Sequence, residues 1–159
     1  MPYKVSDAAY PVSQALPQHL NHKPIYAVPY EPFDGMYAGH TDAMYLSVGI
    51  SQWDSNEISA KVMRFSGNQW SPKAEELPLH RPVDLSILIA KSLFDTNNGN
   101  LTFQSGTFRD QHNCLFISQE NRPEEEVFNN FVAANGQLIK DRLNALCDVL
   151  LDLRRRGKI

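Results

Sequence analysis

Two runs of alternating residues, separated by three small polar ones, constrain this chain more than any other feature in it. In "AMYLSVGISQW" (43–53), Tyr45, Ser47, Gly49 and Ser51 alternate with Met44, Leu46, Val48 and Ile50. In "EISAKVMRFSG" (57–67), Ile58, Ala60, Val62 and Arg64 alternate with Ser59, Lys61, Met63 and Phe65. A period of two with one apolar face marks a strand, and Asp54-Ser55-Asn56 supplies a turn. The expectation is an antiparallel hairpin. Ser66-Gly67-Asn68 predicts a second tight turn into a short strand at Gln69-Trp70.

Proline shapes what comes before. Six of the ten prolines lie at or before Pro32, and all six tyrosines at or before Tyr45. Proline fixes φ and removes a donor, so residues 1–33 cannot form a long helix or a central strand. They are expected to be an extended arm packed on the body, with a short helical turn around Val12 to Leu16. Pro24 to Tyr30 reads as an edge strand, and Asp34-Gly35 as a turn.

Helical punctuation dominates the second half. Arg81 to Phe94 has Pro82 in its first turn, Asp84 near the positive dipole end and Asn97-Asn98-Gly99 as a stop. Leu85, Ile87, Leu88, Ile89, Leu93 and Phe94 leave it almost no polar face, which predicts a helix buried nearly all round. Asn100–Gly106 and Asn113–Gln119 read as two further strands joined by the loop Thr107 to His112. Pro123 and three following glutamates open a last helix over 123–156, with a weak point at Asn135-Gly136. Beyond it, Ile139, Leu143, Leu146, Leu150 and Leu153 repeat at a spacing of 4-3-4-3, an a/d seam. The fold class is therefore α+β, a single domain over 1–159. It has an antiparallel sheet of four to six strands, one buried central helix and a long C-terminal helix.

The net charge of −3 and pI near 5.9 offer nothing global to a polyanion, and the only basic run, Arg154 to Arg156 with Lys158, suits a helix C-terminus. No nucleic-acid partner is expected. The N-terminus lacks a signal-peptide pattern, and the longest apolar run, Leu85 to Ala90, is far below bilayer length. No membrane partner is expected either, and the location read from the sequence is cytoplasmic. Cys114 and Cys147 match no zinc or redox spacing and read as free, buried thiols in a reducing compartment.

The densest chemistry lies in "SPKAEELPLHRPVDL" (71–85). His80 is the best candidate for a general acid/base, with Glu75 or Glu76 as its partner and Arg81 as an anchor for a carboxylate or phosphate. The plainer reading pairs Arg81 with a glutamate, bidentately, while His80 caps the helix. A ligand at this helix start would be small and anionic, because first-turn N–H groups favour negative charge. Trp53 and Trp70 are candidates to line an aromatic groove, although burial against the sheet is the commoner fate of such residues. His40 and Asp42 have ligand types at a spacing of two, with His80 or His112 as a third candidate, but a metal centre needs three or four convergent ligands, and no metal is expected. His112 and Cys114 suggest a thiol–imidazole pair, but two residues apart on a strand they merely share a face, and Cys114 reads as core. No phosphate-binding glycine motif is present, and no cofactor is expected.

The segment from Gln52 to Leu85 resembles the central part of an uncharacterised bacterial protein family of unknown function. The resemblance rests on the Trp53-Asp54 turn, Lys61-Val62 and Arg64 on a strand, Trp70-Ser71, and Glu75-Glu76-Leu77-Pro78 with His80-Arg81 before Asp84-Leu85. Met63 stands where that pattern expects an aromatic residue, and Pro72 where it expects a base. The resemblance implies a neighbourhood of residues and no activity. The leading expectation is a non-enzymatic binding or regulatory module that self-associates as a homodimer through the C-terminal helix. The alternative is a small, hydrolase-like acid/base enzyme using His80 with Glu75 or Glu76.

Overall fold

A computed structural model describes Tyr10, residues 12–95 and residues 101–159. The chain packs as two compact units, the first ending at Leu85 and the second beginning at Ser86.

In the first unit, β1 (Lys23–Pro29), β2 (Ala43–Ile50) and β3 (Ile58–Ser66) form consecutive antiparallel ladders. β4 (Gln69–Trp70) and β5 (Glu76–Pro78) both pair with the far side of β3, β4 at Phe65–Ser66 and β5 at Ser59–Lys61. The β2–β3 hairpin, the β1 edge strand and the return into β4 all follow the expected pattern. Gly67 and Asn68 both take positive φ, +57° and +65°, as a two-residue turn matched to strand twist requires. β5 lies between the strand ending at Trp70 and the helix start, where the sequence marked no strand. Three residues carry no legible period, and only the partner strand makes them a strand.

β1 has a proline at each end, Pro24 and Pro29, with a register shift between Pro24 and Tyr26. There its backbone closes onto Gly49 so tightly that a Cβ on that glycine would lie 2.0 Å from the Lys23 carbonyl oxygen. Only glycine permits that approach. Residues 12–22 form no helix, contrary to the turn expected around Val12 to Leu16. Val12, Leu16 and Leu20 instead pack irregularly on a core of Met44, Tyr45 and Met63 with Phe65 and Trp70. Tyr45 is fixed at both ends, its ring 6.3 Å from that of Trp70 and its hydroxyl donating to the Gln14 carbonyl.

The alternation along β2 and β3 does produce two distinct faces, but the more polar one is buried. Ser47, Ser59 and Lys61 lie inside with Tyr45 and Met63, whereas Val48 and Ile58 are exposed and Leu46, Ala60 and Val62 half-buried.

α1 (His80–Phe94) begins within a residue of its expected start but has no buried residue; Leu85 and Ile89 stay 49% and 43% exposed. The central helix expected to be buried all round is thus only partly covered by the described residues, with Ile87, Leu93 and Phe94 half-buried and Leu85, Leu88 and Ile89 exposed, because a helix apolar on every side needs cover from several directions.

In the second unit, β6 (Thr102–Phe103) and β7 (Leu115–Phe116) make a two-stranded ladder, shorter than the strands expected there. After a turn at Arg122–Glu124, α2 (Glu125–Arg155) runs unbroken for 31 residues. Gly136 does not interrupt it: this residue is buried, facing the ring of Phe94, and Lys140 reaches over the same ring at 5.3 Å. Both free cysteines are exposed, not buried. Cys147 sits on uncovered helix, and the small β6–β7 ladder leaves Cys114 without cover.

Candidate functional site

The site that the structure assembles centres on Glu76, and its histidine is His22. β5 sets Glu76 opposite Lys61 of β3, so both side chains enter the buried face. His22, the last residue before β1, is fully buried between them and Ser47. Its Nδ1 lies 2.9 Å from Glu76 Oε1 and 3.1 Å from Ser59 Oγ, and its Nε2 lies 2.9 Å from Ser47 Oγ. The carboxylate also accepts hydrogen bonds from Ser59 Oγ (2.6 Å), the Gln52 backbone N–H (3.0 Å) and Gln52 Nε2 (2.5 Å). With the Ser47 hydroxyl donating to Nε2, the proton of a neutral His22 sits on Nδ1 and points at Glu76.

Lys61 completes the cluster. Its ammonium is 3.7 Å from Glu76 Oε2 and donates to the carbonyls of Ala74 (2.6 Å) and Pro72 (3.3 Å). Those bonds hold the turn in which Glu75 adopts φ +40°, a left-handed conformation that costs a non-glycine residue about 1 kcal/mol. The turn sends the two adjacent glutamates to opposite faces. Glu76 goes inward; Glu75 pairs with Arg64, which also binds Asp42 Oδ1 through Nε (2.8 Å) and its terminal nitrogen (2.7 Å).

Burial drives the electrostatics. Desolvation lowers the pKa of His22, opposed by the Glu76 carboxylate, and lowers that of Lys61 against the same carboxylate. Burial alone would raise Glu76, but hydrogen bonds from Ser59, Gln52 and His22 outweigh it and hold the pKa below the ordinary carboxylate value. Neutral imidazole, charged carboxylate and charged ammonium form one compensated unit. Among the described residues, no buried side-chain nitrogen or oxygen lacks a partner.

Ser47, His22 and Glu76 stand in the order nucleophile, base and acid. The order is not sufficient for catalysis. Ser47 is 4% exposed, in mid-strand on the packed face, whereas acyl transfer requires a nucleophile and oxyanion donors that meet a substrate.

The residues singled out from the sequence separate. His80 and Arg81 are exposed at the start of α1, and among the described residues no hydrogen bond or ion pair joins either to Glu75 or Glu76. The bidentate Arg81–glutamate pair is therefore absent, because Lys61 and His22 draw Glu76 inward and Arg64 takes Glu75. Trp70 packs in the core, while Trp53 is 45% exposed and its indole N–H donates to Glu57. His40 and Asp42 line an open cleft of about 610 Å³ with Tyr30, Tyr37, Arg64 and Glu75. With Arg64 already bridged by two carboxylates, this cleft favours neutral polar or cationic groups over anions. No group of three or more potential metal ligands occurs among the described residues, and no helix there is long and apolar enough to cross a membrane.

Sequence reasoning missed His22, Ser47 and Ser59. The only available signal was a serine and a lysine recurring on one strand face, an arrangement that reads as solvent-facing until a buried partner is known.

Residues 14–155 match a family described as "Family of unknown function (DUF6530)", which extends well beyond the Gln52–Leu85 segment that carried the resemblance. No curated protein and no solved structure matches the chain.

Proposed function

We propose, for a chain that belongs to this family of unknown function, a non-enzymatic binding module that self-associates through α2. The observation that carries this reading is a contrast in satisfaction. The His22–Ser47–Glu76 cluster, whose residue types suit catalysis, is sealed, and among the described residues its buried polar atoms all have partners, while α2 leaves Leu146, Val149, Leu150 and Leu151 exposed along its last turns. An enzyme using His80 with Glu75 or Glu76 would need a glutamate as the partner of that imidazole, and both are engaged elsewhere: one is in an ion pair with Arg64 and the other is buried against His22.

Contiguous apolar surface on a helix is costly to leave in water, at about 25 cal/mol for each Å², and such patches mark interaction surfaces. A second copy of the chain offers an identical stripe, and two-fold pairing buries both at once. Light scattering at micromolar concentration should give twice the chain mass of 18.0 kDa, and Leu150→Glu should return the monomer with its helical circular dichroism intact. A wild-type monomer at every concentration tested would remove the reading.

A further inference from the structure

We infer that two copies of α2 pair antiparallel, each placing its acidic start against the partner's basic end. This rests on the self-association proposed above and specifies its geometry.

The apolar stripe is longer than the seam at the helix end. At 100° per residue, Phe128, Val132, Ile139, Leu143, Leu146, Leu150 and Leu153 all fall within about 40° of a single line down the helix. From Phe128 to Leu153 that line runs about 37 Å, at 1.5 Å per residue. Phe128, Leu146 and Leu150 are exposed, and the others are only partly covered. Phe94 packs beside the line, at Gly136 and Lys140, and the exposed part of the stripe lies at its two ends, at Phe128 and at Leu146 and Leu150.

Charge is segregated along the same helix. Glu124, Glu125 and Glu126 open it, no basic residue follows until Lys140, and Arg154, Arg155 and Arg156 close it. The acids of the second half, Asp141, Asp148 and Asp152, project to the side opposite the stripe. The flanks of the stripe are therefore acidic at the start and basic at the end.

A parallel pair stacks like charge on like at both ends. An antiparallel pair about an axis between Lys140 and Asp141 puts Phe128 against the partner's Leu153, Val132 against the partner's Leu150, and Ile139 against the partner's Leu143. In the same register Asn135 meets the partner's Leu146, a polar layer that the two-fold axis repeats once; its amide already donates to the Phe131 carbonyl. On the flanks, Glu125 comes to the partner's Arg154, while Arg156 keeps its ion pair with Asp152 of its own chain. Because antiparallel helices bring equivalent flanks together, the two groups lie on matching sides, and the two-fold axis gives two such contacts. Opposing them is a single like-charge approach, Arg142 to the partner's Arg142 near the axis.

The test separates orientation from association. In the full chain with Cys114→Ser and Cys147→Ser, a spin label at Glu126→Cys reports the distance between the two helix starts. Antiparallel pairing places them on the order of 40 Å apart, and parallel pairing within about 20 Å. Glu125→Arg should weaken the dimer about tenfold, from reversing two surface contacts, and adding Arg154→Glu should restore it. A short spin–spin distance, or tighter association on Glu125→Arg, overturns the antiparallel arrangement while self-association stands. A monomeric wild type overturns both, and assigns the stripe to another occupant.

Discussion

The two faces of the five-stranded sheet invert the usual relation between polarity and burial. One face carries Ser47, Ser59, Lys61 and Glu76 and is closed; the other carries Tyr26, Val28, Val48 and Ile58 and is substantially open. Tyr26 is 72% exposed, while the His22 imidazole on the opposite side is completely buried. What decides burial here is whether the polar atoms can satisfy one another. Glu76 accepts hydrogen bonds from His22, Ser59 and both nitrogens of Gln52, so closing that face leaves no orphaned group to oppose the packing of Met63 and Tyr45 beside it. The other face needs no such arrangement and remains available for contact, with a mainly apolar hollow of about 460 Å³ bordered by Tyr26, Val28, Val48 and Leu77.

Removing the carboxylate is the most severe way to break this contrast. Glu76→Ala leaves His22, Ser59, Gln52 and Lys61 without their common acceptor, in a space closed to water. The expected loss is about 3–5 kcal/mol in urea denaturation, the range for removing one partner of a buried ion pair. A loss below about 1 kcal/mol would mean that the closed face hydrates readily and that burial there is only apparent.

Acid acts on the same groups more gradually. The folded-state pKa of His22 is depressed, so as pH falls the unfolded chain takes up the proton first. Its contribution to stability is complete above the ordinary histidine value of about 6.5 and is lost as pH falls below it. Glu76 is depressed as well, so its contribution is complete above the ordinary carboxylate value and is lost as pH falls through the lower folded value. Urea midpoints measured from pH 8 to 3 should therefore hold steady, decline below about 6.5, and decline again in the carboxylate range. A midpoint unchanged between pH 7 and 5 would contradict the buried, neutral His22.

The smallest expected effect is on the open face. Val48→Thr keeps the β-branched shape that suits a strand and adds a hydroxyl where water already reaches. Stability should change by no more than about 0.5 kcal/mol, as at other surface positions. A loss several times larger would show that something covers Val48 in solution, and would turn the open face into an interface.

Local signals made most of the fold legible. The β2–β3 hairpin, the glycine–asparagine turn, the β1 edge strand and the boundaries of both helices each depend on residues within a few positions of one another. The alternation also divides each strand into two sets, but it contains nothing that says which set is closed. That is decided by His22, which lies 25 residues from Ser47 and 54 from Glu76. The same limit explains the candidate site. Glu75 and Glu76 were recognisable as chemistry, but adjacency in sequence suggested Arg81 and His80 as partners. The pairing of β5 with β3 carries the two carboxylates to Arg64 and to Lys61 instead.

The prolines that bound β1 bear on colloidal behaviour. An edge strand with unpaired amides is a template on which other chains can grow, and Ile25, Tyr26 and Val28 are the kind of side chains that sustain such growth. Pro24 and Pro29 each remove a donor from that edge, and the register shift after Pro24 bends what remains. Only four residues separate the two prolines, too few for a six- or seven-residue cross-β segment. The two prolines thus withhold this sheet edge from amyloid-like stacking.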